Sequence, residues 1–297
     1  MTLFVKRLVM VALGALAAFA LWPLLLAIQS NKTLWPDFFV YTLLQGLVFG
    51  LIYGFIFGSF EGIAVSSSRR ALNGALFGAL AGLVSGALGM LAGQALFFFL
   101  ADRVVQRWSD QTGLAFALSR GAAWVIIGIF LSLIEGLRSA SPRRLLAGLA
   151  GGITGGLIGG ILLQTVLSLY PDQSLALLAG LVLFGAVLAF FYSFFENRFS
   201  AGTLRVLNGR LKGREYHLVK NRLVLGAAES SDILLSGYQG VSPRHACIRI
   251  EKGKLILEAL PGASVMLNDR PLTEPSVLRR EDVIGAGKAR LIYGIFF

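Results

Sequence analysis

The sequence predicts two domains of different class: an α-helical membrane bundle of six transmembrane helices with parallel two-helix repeats, followed by an all-β sandwich. Three observations carry this. The 297-residue chain is 56% hydrophobic and only 14% charged, against roughly 45–50% and about 25% in ordinary soluble domains. Six apolar stretches are each long enough to cross roughly 30 Å of hydrocarbon. Past residue 202 the apolar period changes from helical to alternating, and charge is concentrated: the last 95 residues hold 24 Lys, Arg, Asp and Glu, the first 202 hold 19. The expected domains are therefore 1–202 and 203–297.

The six spans run over Leu8–Ile28, Phe38–Phe60, Ala71–Leu100, Leu114–Ile134, Leu145–Leu169 and Leu175–Phe195. The third is long enough to tilt or to end in an interfacial turn. With the N-terminus inside, the short connectors place Lys6, Arg7, Arg69, Arg70, Arg138, Arg143, Arg144 and Arg198 on the inner face, and Lys32, Arg103 and Arg107 on the outer. Positive charge favours the cytoplasmic side, so both termini are expected in the cytoplasm of a cell with an inner membrane. The first span is read as an uncleaved anchor, because its run of 21 apolar-rich residues exceeds a signal-peptide core of about 7–15.

A shift of 74 residues lays 52–88 on 126–162 with 14 identities. The copies cover about 38–100 and 112–169, and 175–196 reads as a third half-copy. Each copy contains two spans, so the copies share one orientation and are parallel repeats, unlike inverted transporter pairs. In each, a helix carries glycine at every fourth position: Gly74, Gly78, Gly82 and Gly86, then Gly148, Gly152, Gly156 and Gly160. Such a stripe lets helices approach closely in lipid, where packing replaces the hydrophobic drive. Tight packing within the bundle or between subunits is one reading; a pore lining is the other.

The repeat also places carboxylates and arginine pairs at the inner surface: Glu61 with Arg69 and Arg70, Glu135 with Arg143 and Arg144, and Glu196 in the half-copy. Ion pairing between them is expected. A proton or ion role, and docking of the arginines on anionic lipid of the inner leaflet or on a partner, remain alternatives. Arg120 falls inside the fourth span, where a charge is costly enough to suggest function, unless it snorkels to the interface beside Arg107 and Trp108. Gln164 is a second polar group at depth, for which a helix-to-helix hydrogen bond suffices.

From Leu204 short runs alternate with turns: 204–207, 216–219, 223–225, 233–235, 246–250, 254–258, 265–267 and 289–295, the pattern of a sandwich. Cys247 lies in one run and reads as a small buried hydrophobe. The ordered set Leu225-Gly226, Asp232-Ile233-Leu234-Leu235, Val241-Ser242-Pro243-Arg244-His245-Ala246, Leu267-Asn268-Asp269 and Leu278-Arg279-Arg280-Glu281-Asp282-Val283-Ile284 resembles a forkhead-associated (FHA) domain. The resemblance covers residues 203–297. It implies an eleven-stranded sandwich whose loops at one end bind phosphothreonine peptides. By that resemblance Ser242, Arg244, His245 and Asn268 form the phosphopeptide or partner-binding set: Ser242 donates to phosphate, Arg244 is a second cation and His245 orders the loop. Two family positions depart: Ala227 stands where an arginine holds the phosphate, and Ala263 near where an asparagine grips the peptide backbone. Losing a charge-assisted bidentate contact removes much of phosphate affinity.

Other chemistry is poorly represented. One cysteine and two histidines leave no metal cage or disulfide framework, and no catalytic constellation or cofactor is predicted. Gly285-Ala286-Gly287-Lys288 departs from a phosphate-binding loop at two positions. The net charge of +11 suits an anionic membrane surface better than nucleic acid. The expected function is a non-enzymatic membrane scaffold or adaptor that recruits membrane or cytoplasmic proteins, within a Ser/Thr kinase system if phosphopeptide is read. A transporter or channel regulated by the C-terminal domain is the alternative.

Overall fold

The structure, a computed structural model, describes residues 3–30, 38–64, 67–104, 114–251 and 253–294. The side chains of Lys6, Arg7, Arg103 and Glu135, and the whole of Lys32, Arg107 and Trp108, lie outside the described residues. By compactness the chain divides into two units, one of Arg7–Ser139 and Arg144–Glu196, the other of Met1–Lys6, Ala140–Arg143 and Asn197–Phe297.

The helical unit is built from α1 (Leu3–Ser30), α2 (Phe38–Ala64), α3 (Ser68–Val104), α4 (Leu114–Arg138), α5 (Pro142–Leu169) and α6 (Gln173–Phe199). All six are long and apolar enough to cross a membrane, by length and composition. α3 is one continuous helix of 37 residues, with no interfacial turn inside it. Ser67 caps its start, its Oγ accepting the Arg70 N–H at 3.3 Å, a placement that satisfies one of the free amides of a first turn. Outward faces are apolar: Leu80 is 68% exposed, Phe19 62% and Val84 61%, as lipid contact allows and water would not.

Glycine sets how the helices meet. Cβ atoms added at Gly50, Gly54 and Gly58 of α2 would overlap the carbonyls of Gly82, Gly78 and Gly74 of α3, and the reverse additions would overlap in turn. The α3 stripe was expected. Its complement on α2, from Gly46 to Gly62 at the same four-residue spacing, is an addition from the structure. α5 is glycine-faced on two sides. Gly148, Gly152 and Gly156 admit the backbone of α4 at Ser132, Gly128 and Trp124, while Gly151, Gly155 and Gly159 admit α6 at Tyr192, Leu188 and Phe184. Between these contacts sits an aromatic centre in which Phe49 stacks on Tyr53 with centroids 4.4 Å apart and Trp124 lies 4.6 Å from Phe184. The buried Tyr53 hydroxyl donates to the Leu181 carbonyl at 3.3 Å, which satisfies a group that lipid could not.

Among the described residues the other unit contains eleven strands: β1 (Thr203–Val206), β2 (Glu215–His217), β3 (Arg222–Gly226), β4 (Ile233–Leu234), β5 (Ala246–Glu251), β6 (Lys254–Ala259), β7 (Val265–Leu267), β8 (Arg270–Pro271), β9 (Ser276–Val277), β10 (Val283–Ala286) and β11 (Ala289–Gly294). They form two sheets, ordered β2-β1-β11-β10-β7-β8 and β4-β3-β5-β6-β9. The β3–β4 pair is parallel, and the other pairs are antiparallel. Leu204, Leu225, Ile233, Ile248, Leu257, Ile284 and Leu291 are fully buried, as alternation along each strand requires. Cys247 is buried among them. Ser141, in the α4–α5 connector that clusters with this unit, donates to the Val219 carbonyl at 2.6 Å.

Candidate functional site

The loops after β3, before β5 and before β7 converge on one side chain. His245 is 1% exposed. Its Nδ1 accepts the Ser242 N–H at 3.1 Å and its Nε2 lies 3.0 Å from the Ser264 carbonyl. A carbonyl can only accept, so Nε2 carries the proton and Nδ1 is bare. Burial holds the imidazole below its ordinary value, with the Ser264 carbonyl acting in the opposite sense. Neutral histidine is thus the form that ties Ser242 to the β6–β7 loop.

The backbone fixes the same loops against each other. Ala227 and Ala228 N–H groups donate to the Ser242 and Pro243 carbonyls at 3.0 Å each, and His245 N–H donates to Leu225 at 2.7 Å. Ser231 Oγ also donates to Pro243, at 3.0 Å. Gly226 permits this approach, because a Cβ there would overlap the Pro243 carbonyl. Asp232 anchors the base of the loop, accepting the Val224 N–H at 2.9 Å and pairing with Lys220 Nζ at 2.7 Å. Ser242 is half-buried and Arg244 exposed, so a hydroxyl and a guanidinium face the rim. Ala227, half-buried in the adjoining loop, supplies a methyl group.

Two further predicted positions are held in turns. Asn268 lies at the far end of β7 from Ser264, in a left-handed turn at φ 51°. Its amide donates to Asp282 Oδ1 and its oxygen accepts the Val283 N–H, both at 2.8 Å, so it clamps two turns together. Ala263 closes a tight turn through its N–H to Leu260 at 3.0 Å. The Gly285–Lys288 segment is the β10–β11 hairpin; its turn touches the β4–β5 loop through Lys288 N–H and the Gln239 carbonyl at 2.9 Å. No helix follows it, as a phosphate-binding loop would need.

Residues 205–294 match the family described as inner membrane component of T3SS, cytoplasmic domain. With two sheets, eleven strands and these loops in place, the assignment of this unit follows. The C-terminal unit is an FHA-like domain. Among solved structures, the FHA domain of FhaA, crystallised with the intracellular domain of a second protein, is 28% identical over 31% of this chain and 97% of that chain, at a TM-score of 0.28. An FHA domain from Chlamydia trachomatis is 24% identical over 32% and 97%, at 0.30. The cytoplasmic domain of the T3SS sorting platform protein PscD from P. aeruginosa is 19% identical over 31% and 77%, at 0.28. No curated protein matches the chain.

In the helical unit the carboxylates of Glu61 and Glu196 are held by arginines. Glu61 pairs with Arg138 and lies 3.7 Å from Arg144 Nη1, while Arg144 Nε reaches Glu196 at 3.2 Å. The sequence places Glu61 with Arg69 and Arg70. The Glu61–Arg138, Glu61–Arg144 and Arg144–Glu196 contacts run between copies of the repeat, and Arg138 enters as an unforeseen member. Glu196 is 3% exposed, so its charge is matched rather than solvated. Arg69, Arg70 and Arg143 lie in the first turns of α3 and α5. At the opposite end of the bundle, Arg120 and Gln164 line a cavity of about 350 Å³. Among the described residues no group of three or more His, Cys, Asp or Glu is arranged to hold a metal ion.

Proposed function

We propose that the chain is a membrane-anchored adaptor whose FHA-like domain faces the cytoplasm and binds partner proteins mainly through folded-surface contacts, with phosphothreonine recognition weakened. The observation that carries this reading is the mixed state of the recognition end. His245 holds Ser242 and the β6–β7 loop in place, so the frame for a ligand is kept, whereas Ala227 brings no cation to it. The matched family, described as an inner membrane component with a cytoplasmic domain, supports placement of six helices in an inner membrane and a binding rather than chemical task. The arginines at the connectors support a cytoplasmic side for both termini.

The test uses the full chain in nonionic detergent. Pull-down from membranes is repeated with Ser242→Ala, with Arg244→Ala and after phosphatase treatment, and phosphothreonine peptide binding is read by fluorescence anisotropy. Capture that survives all three treatments is expected, together with weak peptide binding that Ala227→Arg strengthens about tenfold by restoring a charge-assisted contact. Tight peptide binding by the unaltered protein, abolished by Ser242→Ala, would overturn the reading.

A further inference from the structure

We infer that one end of the FHA-like domain is a docking surface for an acidic segment of a partner protein, a run of Asp and Glu carboxylates received by the β1–β2, β4–β5 and β10–β11 turns. This names the chemistry of a partner for the adaptor proposed above and rests on that reading. The starting observation is where the charge lies. Residues 203–297 carry 15 Lys and Arg against 9 Asp and Glu. Six of those cations fall in three segments: Arg210, Lys212 and Arg214 in 207–214, Arg244 in 236–245, and Lys288 and Arg290 in 287–290. None of the three segments contains an acid. The other nine cations are balanced in number by the nine acids, and some directly: Arg205 pairs with Glu215, Lys220 with Asp232 and Arg249 with Glu258. The whole positive excess of the domain is therefore gathered at these turns.

Hydrogen bonds bring the three segments together. The Tyr238 hydroxyl accepts the Leu211 N–H at 3.1 Å and donates to the Asn208 carbonyl at 2.6 Å. The Asn208 amide donates to the Lys288 carbonyl at 2.8 Å, and its oxygen accepts the Arg290 N–H at 3.0 Å. The Lys288 N–H in turn reaches Gln239, in the loop that also carries Ser242, so the basic surface continues from the recognition end past Arg244 to the β1–β2 turn. Leu211 is buried, with Arg210 and Lys212 exposed on either side of it, and Lys288 and Arg244 are exposed in the other segments. Arg290 is half-buried and lies 3.8 Å from Asp269. Cations on turns fixed in this way lose little freedom on binding, and gathered without acids they raise a local potential that attracts anionic groups. A polypeptide fits this surface better than other polyanions. Tyr238 is the only Phe, Trp or Tyr in the three segments, and its ring lies against Gly209, where an added Cβ would come within 2.6 Å of it. A nucleic-acid surface would offer rings on which bases stack, and a membrane-seeking one would set aromatic anchors beside the cations.

The full chain in nonionic detergent is titrated, by fluorescence anisotropy, with a short labelled peptide of alternating glutamate and glycine, with its glutamine counterpart, and with oligothymidine of equal charge. Saturable binding of the glutamate peptide is expected, absent for the glutamine peptide and weakened at least about fivefold between about 50 and about 500 mM salt. Arg210→Gln with Lys288→Gln should raise half-saturation about fivefold, the scale of two exposed charge contacts. Arg279→Gln with Arg280→Gln removes the same charge from a loop where Glu281 and Asp282 follow, and should change it by less than about twofold. The salt series and the peptide comparison on unaltered protein stand even where a variant fails to fold. In phosphatidylcholine nanodiscs the peptide should keep its half-saturation within about threefold when phosphatidylglycerol is included. Tighter binding of oligothymidine than of the peptide would make this a nucleic-acid surface, and loss of peptide binding in phosphatidylglycerol would assign it to lipid. Either overturns the proposal, as would equal effects of the two variant pairs or equal binding of the two peptides. The pull-down described above separates this inference from the reading beneath it. Proteins captured from membranes with no binding of the glutamate peptide would remove the surface and leave the adaptor, whereas peptide binding with no protein captured would remove the adaptor.

Discussion

His245 shows how much of the loop cluster around Ser242 depends on one protonation state. Acid adds a proton to Nδ1 and replaces its acceptor with a donor facing the Ser242 N–H, so the bond breaks. Because burial holds the folded value below the ordinary value of about 6.5, the unfolded chain takes up the proton first as pH falls. The contribution of this residue is therefore complete above about 6.5 and is lost as pH drops through the folded value. Thermal unfolding followed across that range should show a fall in Tm that His245→Ala flattens, with the variant about 1–3 kcal/mol less stable at neutral pH. An unchanged pH slope in the variant would place the titration elsewhere. Ser242 and His245 were legible in the sequence because their motif is local. The Glu61–Arg138 pair was not, since the residues stand 77 apart and only the packed bundle joins them.

The backbone contact between α2 and α3 is a property of whole helices. A Cβ at Gly54 would overlap the Gly78 carbonyl, and since the carbonyl belongs to one helix backbone and the Cβ is fixed to the other, neither can move without parting the pair. Gly54→Val is expected to cost about 1–3 kcal/mol, read as a lower midpoint for thermal unfolding in detergent, whereas Leu80→Ala on the exposed face of α3 should stay within about 0.5 kcal/mol. Equal stability of the two variants would sink the idea that this contact holds the hairpin. Helix existence was readable from apolar length, and so were the longer strands from alternation. β8 and β9 were not, being two residues each, too short to show a period. β10, Val-Ile-Gly-Ala, lacks the polar positions that mark an alternating strand.

At the scale of the molecule, the sandwich buries its own apolar set, including Leu204, Leu218, Leu235 and Leu291 at full burial. Residues 201–297 produced without the helices are therefore expected to unfold in one cooperative transition by circular dichroism, as small single domains do; a gradual, non-cooperative melt would show that the sandwich needs the rest of the chain. The expected boundary at 202/203 rests on composition, which each solvent imposes; by compactness the division falls after Glu196 and groups Met1–Lys6 and Ala140–Arg143 with the second unit. α5 carries a different kind of constraint. Seven of its glycines are buried against α4 and α6, and any missense change to a glycine codon can only add atoms. Neighbouring positions can trade one side chain for another over generations, but these glycines have no smaller residue to fall back on, so their codons have little freedom to vary.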